Sequence, residues 1–394
     1  MIYLILPRGN NFGWGICGKY LVKELSEITN IKYITDNFSI KDIGDEFDFH
    51  FLKSKLIGEA EALKIKNGTL KHVDYPVLQA INDHTLQPFG INLKGTFKAG
   101  YTFFEENILD QRYIQNGRDN YDIIITGSKW CEEVLRKYGL EKVTTIIQGI
   151  DPLLYNSSYS EKEFFRDHFM VFSGGKFELR KGQDIVIKAY KVLQDRHKDV
   201  MLVNSWFNFW ADSMKTMAAS PHIKFEITSN NYIEIVNKTL QDNGIDLDRV
   251  ITLSPRHNAL MARMYQNTDI GIFPNRCEGG TNLVLMEYMA CGKPTIASHS
   301  SGHKDIINAN NSIMIKQIKP MSIYRDGNIF ATWDAPDLDE TIGHLEWAYQ
   351  NREKLRYIGL QAGKDLSQLT WKRSAEEFFK ILVKGNSATA ELLR

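Results

Sequence analysis

The sequence is short of several things, and each shortage closes off a class of protein. Only four of its 394 residues are cysteine: Cys17, Cys131, Cys277 and Cys291. None forms a C-x-x-C and none has a histidine at metal-ligand spacing, so neither a disulfide scaffold nor a zinc site is expected. Buried thiols in a reducing compartment are the plain reading. Net charge is missing too: 48 Lys and Arg balance 48 Asp and Glu. A broad nucleic-acid binder needs a basic footprint, so nucleic acid is not an expected partner. There is no apolar run of about eighteen residues, hence no expected transmembrane segment. Met1 to Pro7 has neither a charged leader nor a small-residue cleavage site and reads as a first strand. A cytoplasmic protein is expected, with peripheral membrane association left open. Internal repeats of about 20–50 residues and low-complexity blocks are also lacking.

What is present is the composition of a globular protein, 43% hydrophobic and 24% charged, at a length that suggests two domains. In the first half, strand-like runs at Ile2–Leu6, Lys32–Thr35, Val77–Ile81, Phe97–Phe104, Asp122–Thr126 and Val143–Ile147 are interspersed with helical patterns at Cys17–Ile28 and Ser128–Tyr138. A boundary is expected near Gln148–Pro152 and the polar stretch Asn156–Lys162. A new series starts at Phe169–Gly175 and continues through a helix at Gln183–Gln194, a strand at Val200–Ser205, a helix at Tyr232–Asn243 and a strand at Val250–Leu253. After residue 335 the pattern is mostly helical, over Asp337–Tyr349, Arg352–Leu366 and Trp371–Leu382. Alternating strands and helices predict parallel sheets with right-handed crossovers. The expected architecture is therefore α/β, with two Rossmann-like doubly wound parallel-sheet domains spanning 1–160 and 161–370. The last helix, about 371–394, is expected to pack back on the N-terminal domain.

The chain is organised around residues 269–298. Asp269–Pro274 reads as a buried strand, Arg276–Asn282 as a loop, Leu283–Cys291 as a helix stopped by Gly292, and Thr295–Ser298 as another strand. A loop that ends at a helix N-terminus offers free backbone N–H groups and a positive dipole end to a phosphate. The helix is apolar on every side except at Glu287 and Tyr288, so it should be buried. A buried carboxylate needs hydrogen-bond donors. A pair of sugar hydroxyls would supply them; an arginine partner would make the same residue structural. A second stretch, Ser173-Gly174-Gly175-Lys176-Phe177-Glu178-Leu179-Arg180-Lys181-Gly182, also lies between a strand and a helix. Its glycines let backbone approach a ligand, and Lys176 and Lys181 set cations where a diphosphate leaving group would gather charge.

These two stretches resemble the retaining glycosyltransferase family 4, the group 1 transferases. The family pattern is an acidic residue, a Gly-rich loop, and a helix carrying a second Glu before Met-Ala-Cys-Gly, with seven residues between the acids. Here eight residues separate Glu278 from Glu287. Gly279 holds the seven-spaced place, and a one-residue shift in the loop would bring Glu278 to the same site. The family's basic pair, five apart, is matched by Lys176 and Lys181. The landmarks Gly127–Cys131, Gln148–Asp151 and Ser301–Asp305 are similar to family motifs as well. The resemblance implies a GT-B fold, with the two domains facing a cleft, the first on the acceptor side and the second binding the donor. It implies transfer of a sugar from a nucleoside diphosphate sugar to a hydroxyl of a glycan, lipid-linked or other glycoconjugate acceptor, with retention. Lys176 and Lys181 would hold the diphosphate, Glu287 the ribose, and Gly279, Gly280, Thr281 and Asn282 the phosphate and sugar through backbone N–H groups. Nothing resembles the metal-binding D-x-D of the other common transferase fold, so no metal and no further cofactor are expected.

Two other regions could carry chemistry. Lys98–Glu106 reads as a strand with Glu105 and Glu106 at its C-terminal end, and Asn82-Asp83-His84 ends the preceding strand. Glu105 and His84 are candidate catalytic residues on the acceptor side, with Glu278 on the donor side. Gly13-Trp14-Gly15-Ile16-Cys17-Gly18 is a literal G-x-G-x-x-G, and Asp36 follows Gly18 by eighteen residues. That opens an NAD-dependent oxidoreductase reading through Gly13, Gly15 and Gly18. Against it, Pro7–Phe12 separates the strand from the first glycine, whereas a dinucleotide turn follows its strand directly. In the resembled family the first loop faces the donor phosphates, the role expected of Gly13 and Gly15. A sugar-nucleotide epimerase or a binding protein would share the fold and transfer nothing.

Overall fold

In the computed structural model, residues 1–158, 162–208 and 211–385 are described. The chain divides into two compact units: Met1–Gly149 with Tyr324–Ala331 and the C-terminal segment from Leu369, and Ile150–Ile323 with Thr332–Gln368.

In the first unit, β1 (Ile2–Ile5), α1 (Gly13–Ile28) and β2 (Ile31–Ile34) are followed by three short helices, α2 (Ile40–Ile43), α3 (Glu46–Ser54) and α4 (Glu59–Lys66). Then come β3 (Val77–Ala80), β4 (Lys98–Thr102), α5 (Gln111–Asn120), β5 (Ile123–Thr126), α6 (Lys129–Lys137) and β6 (Val143–Thr145). The six strands pair in parallel in the order β2-β1-β3-β4-β5-β6. Alternation along β1 shows why the sheet is buried on both faces. Ile2, Leu4 and Leu6 join Leu21, Val22 and Leu25 of α1 in one core, while Tyr3 and Ile5 join Ile34, Val77 and Leu93 in another. α13 (Trp371–Gly385) puts Ala375, Phe378 and Leu382 into the first of these cores, and Trp371 stacks on Tyr20 of α1. A Cβ on Gly149 would lie 2.2 Å from the Trp371 backbone nitrogen, so glycine is needed where α13 begins. Residues 386–394, the end of the expected C-terminal helix, lie outside the described residues.

The second unit holds β7 (Phe169–Gly175), α7 (Gln183–Arg196), β8 (Val200–Trp206), α8 (Tyr232–Asp242), β9 (Val250–Thr252), α9 (Met261–Gln266), β10 (Ile270–Phe273), α10 (Leu283–Ala290), β11 (Thr295–Ser298) and β12 (Ile313–Ile315). A two-stranded sheet of β13 (Ile318–Arg325) and β14 (Asn328–Pro336) follows, then α11 (Leu338–Gln350) and α12 (Arg352–Leu366). The parallel sheet runs β9-β8-β7-β10-β11-β12. Counted within the unit this is the 3-2-1-4-5-6 order of a doubly wound dinucleotide-type sheet, with its reversal between β7 and β10. The first sheet reverses between β1 and β3.

Several features differ from the sequence reading, among them the helices α2–α5, which it did not contain. α1 begins at Gly13 and not at Cys17, because its glycines are absorbed into the helix. The β13–β14 hairpin occupies a region given no strand; its turn, Asp326-Gly327, has φ of 50° and 79°, the left-handed pair that a two-residue hairpin turn demands.

Candidate functional site

In an open α/β sheet, ligands bind beyond the C-terminal strand ends where the strand order reverses. In the second unit that point lies between β7 and β10. The two loops that leave it, Lys176–Gly182 and Pro274–Asn282, are the two stretches singled out by sequence. They meet at backbone distance: a Cβ on Gly182, at φ 72°, would sit 2.1 Å from the Pro274 carbonyl oxygen. The Arg276 amide donates to the Arg180 carbonyl at 2.7 Å. The Arg276 guanidinium donates to the Leu179 carbonyl and reaches both oxygens of Asp184, in the first turn of α7, at 2.8 Å each. Both side chains of that pair are wholly buried. Arg276 and Asp184 carried no signal in the sequence beyond their proximity to the loops.

Between the loops lies a chain of alternating charges. Arg180 bonds Glu178 at 2.7 Å, Glu278 at 3.2 Å and the Cys277 carbonyl at 2.9 Å. Lys181 donates to the other oxygen of Glu278 at 2.6 Å, and Asn275 donates to that same oxygen. Burial by itself would raise the Glu278 pKa, but Lys181 and Arg180 overcome it and hold the carboxyl at about 2. Burial pulls Lys181 below the ordinary lysine value more strongly than Glu278 lifts it. At neutral pH Glu278 is ionised, because it faces two cations. The structure thus joins Glu278 to Lys181, and adds Arg180, which the sequence reading quoted without a role. Lys176 is partly exposed, and its carbonyl accepts from the Gln183 side chain at 2.6 Å.

The second loop runs into α10 through Gly279, Gly280, Thr281 and Asn282. Asn282 caps the helix from a left-handed conformation, φ 64°, which asparagine tolerates better than most residues. The 3-10 turn Ser301–Asp305, which follows β11, cradles this loop. Ser301 Oγ accepts from the Glu278 amide at 2.7 Å, and a Cβ on Gly302 would lie 1.7 Å from the Gly280 carbonyl oxygen. Thr281 is fully buried. Glu287, 4% exposed, accepts from Asn258 Nδ2 at 2.7 Å and from the Tyr265 hydroxyl at 3.4 Å. These two bonds come from neutral donors, so the buried carboxylate is already hydrogen-bonded without a sugar.

In the first unit the reversal point lies beside the β1 and β3 loops. Gly15 and Gly18 serve that loop's own packing: a Cβ on Gly15 would lie 2.8 Å from the Arg8 carbonyl oxygen, and one on Gly18 only 1.8 Å from that of Pro7. Gly13, the first residue of α1, is exposed. After β3, His84 Nδ1 stands 3.1 Å from Asp83 and Nε2 3.0 Å from Glu106, which lies beyond β4. Arg325 reaches the other oxygen of Glu106 at 2.8 Å. Glu106, and not the candidate Glu105, is therefore the acid joined to His84; Glu105 is partly buried beside it.

Burial works against a charged His84 ring, but the adjacent Asp83 carboxylate, with the charge of Glu106, outweighs it and raises the pKa. A raised histidine pKa contributes stability that is complete below the unfolded value of about 6.5 and is lost as pH rises through the folded value. Asp83→Asn should lower the His84 pKa more than Glu106→Gln does, as read by NMR titration of the ring. Equal shifts, or a parent value below 6.5, would contradict the arrangement.

Part of the sequence and the fold are similar to those of known proteins. Residues 204–326 match the family model described as Glycosyl transferases group 1. A D-inositol 3-phosphate glycosyltransferase from Paenarthrobacter aurescens is 22% identical over 254 residues, 62% of this chain and 53% of that protein. The aligned part thus spans about half the length of that relative. Among solved structures, sucrose-phosphate synthase from Thermosynechococcus elongatus superposes with a TM-score of 0.65 at 15% identity, covering 96% of this chain and 97% of the other. Anabaena Alr3699/HepE, in complex with UDP and glucose, gives a TM-score of 0.66 at 13% identity over 97% and 98%. The α,α-trehalose 6-phosphate synthase of Burkholderia multivorans gives 0.64 at 13% over 100% and 98%. Among the described residues, no cluster of three or more His, Cys, Asp or Glu could hold a metal, and no helix is long and apolar enough to cross a membrane. The fold is GT-B, and residues 204–326 are similar to the group 1 glycosyl transferases.

Proposed function

We propose that the protein is a glycosyltransferase that moves a sugar from a nucleoside diphosphate sugar to a hydroxyl acceptor. The observation that carries this reading is the meeting of the β7 and β10 loops at the reversal point of the second sheet. There Arg180 and Lys181 pair with Glu278, next to the start of α10. As the glycosidic bond breaks, negative charge grows on the departing diphosphate. Preorganised cations and helix N–H groups stabilise that charge where it develops. In this reading the second unit binds the donor, through Lys176, Lys181 and Gly279–Asn282, with Glu287 on the ribose and Glu278 beside the transferred sugar. The first unit recognises a glycan or glycoconjugate acceptor, with His84 and Glu105 as its candidate catalytic groups and Gly13 and Gly15 toward the donor phosphates.

Retention and independence of a metal are part of the proposal: cations and backbone donors meet the phosphate charge, and the leaving phosphate accepts the acceptor's proton. UDP is the first base to try, because HepE was solved with UDP and UDP-glucose. A cytoplasmic setting is kept on the strength of four buried free cysteines. The nicotinamide reading has less behind it, since Gly15 and Gly18 are engaged by the backbone of their own loop. The direct assay is release of nucleoside diphosphate from a matching sugar donor, dependent on an added hydroxyl acceptor. NADH binding that is lost in Asp36→Ala, with no nucleoside diphosphate binding, would reverse the assignment.

Glu287 offers a finer test. Its bonds to Asn258 and Tyr265 can survive in part in Glu287→Gln, so the unliganded stability of that variant should stay near the parent's. Donor affinity should fall in the order parent, Gln, Ala, by about 1.5–3 kcal/mol for Ala, the usual worth of hydrogen bonds to a charged group. Urea denaturation beside a UDP titration reads both. Unchanged UDP affinity with a large stability loss would make Glu287 purely structural.

A further inference from the structure

His303 is buried completely, sits outside every role assigned above, and has partners that fix its chemistry. Its Nδ1 lies 3.2 Å from the Ser298 carbonyl oxygen, which can only accept, so Nδ1 carries the proton. The Ser298 hydroxyl, 3.3 Å from Nδ1, already donates to the Asn275 carbonyl at 2.6 Å. It too is left to accept from Nδ1. The other ring nitrogen, Nε2, lies 3.3 Å from Asn282 Nδ2, which donates. A neutral Nδ1–H ring satisfies every one of these contacts. Burial, helped by Lys181 and Arg180 and opposed by Glu278, pushes the His303 pKa down to about 4, so the ring is neutral at physiological pH.

The Asn282 amide is held from two sides. Its Nδ2 faces His303, and its Oδ1 accepts from the Leu285 amide in the first turn of α10 at 3.4 Å. Flipping that amide would set an NH2 group against the Leu285 N–H and remove the cap. His303 therefore selects the orientation in which Asn282 caps α10. It does so next to Ser301 and Gly302, which grip the same loop through the Glu278 amide and the Gly280 carbonyl.

We propose that His303 is a positioning residue, whose neutral ring orients Asn282 and thereby fixes the Gly279–Asn282 loop and the first turn of α10 for the donor diphosphate. This rests on the function proposed above for that loop. His303→Gln places an amide oxygen where Nε2 was and keeps an acceptor for Asn282. His303→Asn keeps a donor for Ser298 and loses that acceptor. Both shrink a buried side chain, so a merely structural role would weaken both alike.

The test combines amide hydrogen exchange over residues 283–285 of the unliganded protein with UDP titration. His303→Asn should lose first-turn protection and bind UDP about tenfold more weakly, the scale of a lost helix cap, while His303→Gln stays within about threefold of the parent. Asn282→Gly, which accepts the left-handed backbone without cost, should lose the same protection even if a His303 variant does not fold. Parent-like protection in Asn282→Gly, or indistinguishable Gln and Asn variants, would overturn the inference. If the parent binds no nucleoside diphosphate, the exchange data still decide the role of His303, and the functional reading fails separately.

Discussion

Asp184→Ala should cost about 3–5 kcal/mol of folding stability, the price of stranding a buried charge. Domains are commonly stable by only about 5–15 kcal/mol, so the variant should unfold at a far lower urea concentration than the parent. Arg276 and Asp184 are both fully buried, joined by two bonds of 2.8 Å. Removing the carboxylate leaves a guanidinium held by the Leu179 carbonyl alone among the acceptors described above. Burial opposes ionisation of Asp184, yet Arg276 overcomes this and keeps its pKa below the ordinary carboxylate value. Replacing both residues, as Asp184→Leu with Arg276→Met, should recover much of the loss, since a buried pair exchanged for apolar side chains is often near neutral. That recovery is what a double-mutant cycle measures. A loss below about 1 kcal/mol in Asp184→Ala, within the worth of an exposed ion pair, would mean that this pair does not hold the two loops together.

Lys181→Ala should weaken nucleoside diphosphate binding by about 1.5–3 kcal/mol, roughly ten- to a hundredfold. The lysine side chain is only 11% exposed and already oriented by Glu278, so little rotamer freedom is lost when a phosphate arrives. Lys176→Ala should weaken binding as well; both side chains are partly buried. The Lys181 change has a second consequence. Glu278 is held at about 2 mainly by Lys181 and Arg180 against the effect of burial. A depressed carboxylate pKa contributes stability that is present above the unfolded value and lost as pH falls through the folded one. Without Lys181 the Glu278 pKa rises, so the variant's acid denaturation should begin at higher pH than the parent's. Calorimetry with UDP and with uridine separates phosphate contacts from base contacts; an equal loss for both would place Lys181 away from the diphosphate.

Much of the fold was legible because parallel strands buried on both faces announce themselves as apolar runs. Phe169–Gly175 and Thr295–Ser298 are strands as read from sequence, and Arg352–Leu366 is a helix with the same bounds. The loops at the second reversal point were legible because glycines and lysines fall between such runs. Contacts that depend on the third dimension were not. Glu105 and Glu106 are adjacent in sequence, and only the geometry shows that Glu106 meets His84 and Arg325. Arg180 stood between a candidate lysine and an acid with nothing to distinguish it until its bonds to Glu178 and Glu278 were seen. The Arg276–Asp184 pair spans 92 positions. His303 drew no attention because a lone histidine has no pattern. The β13–β14 hairpin did leave a signal, Asp326-Gly327, but β13 is largely exposed and mixes polar with apolar residues, so no strict apolar alternation marked it.

The central claim is that the β7 and β10 loops form a nucleoside diphosphate site. Isothermal titration of the purified chain with UDP, GDP, ADP and dTDP, each beside its nucleoside, tests it most directly. The account predicts that at least one diphosphate binds, that its nucleoside binds far more weakly, and that Lys181→Ala narrows the difference between them. No binding of any diphosphate, or binding that is indifferent both to the phosphates and to Lys181, would contradict it.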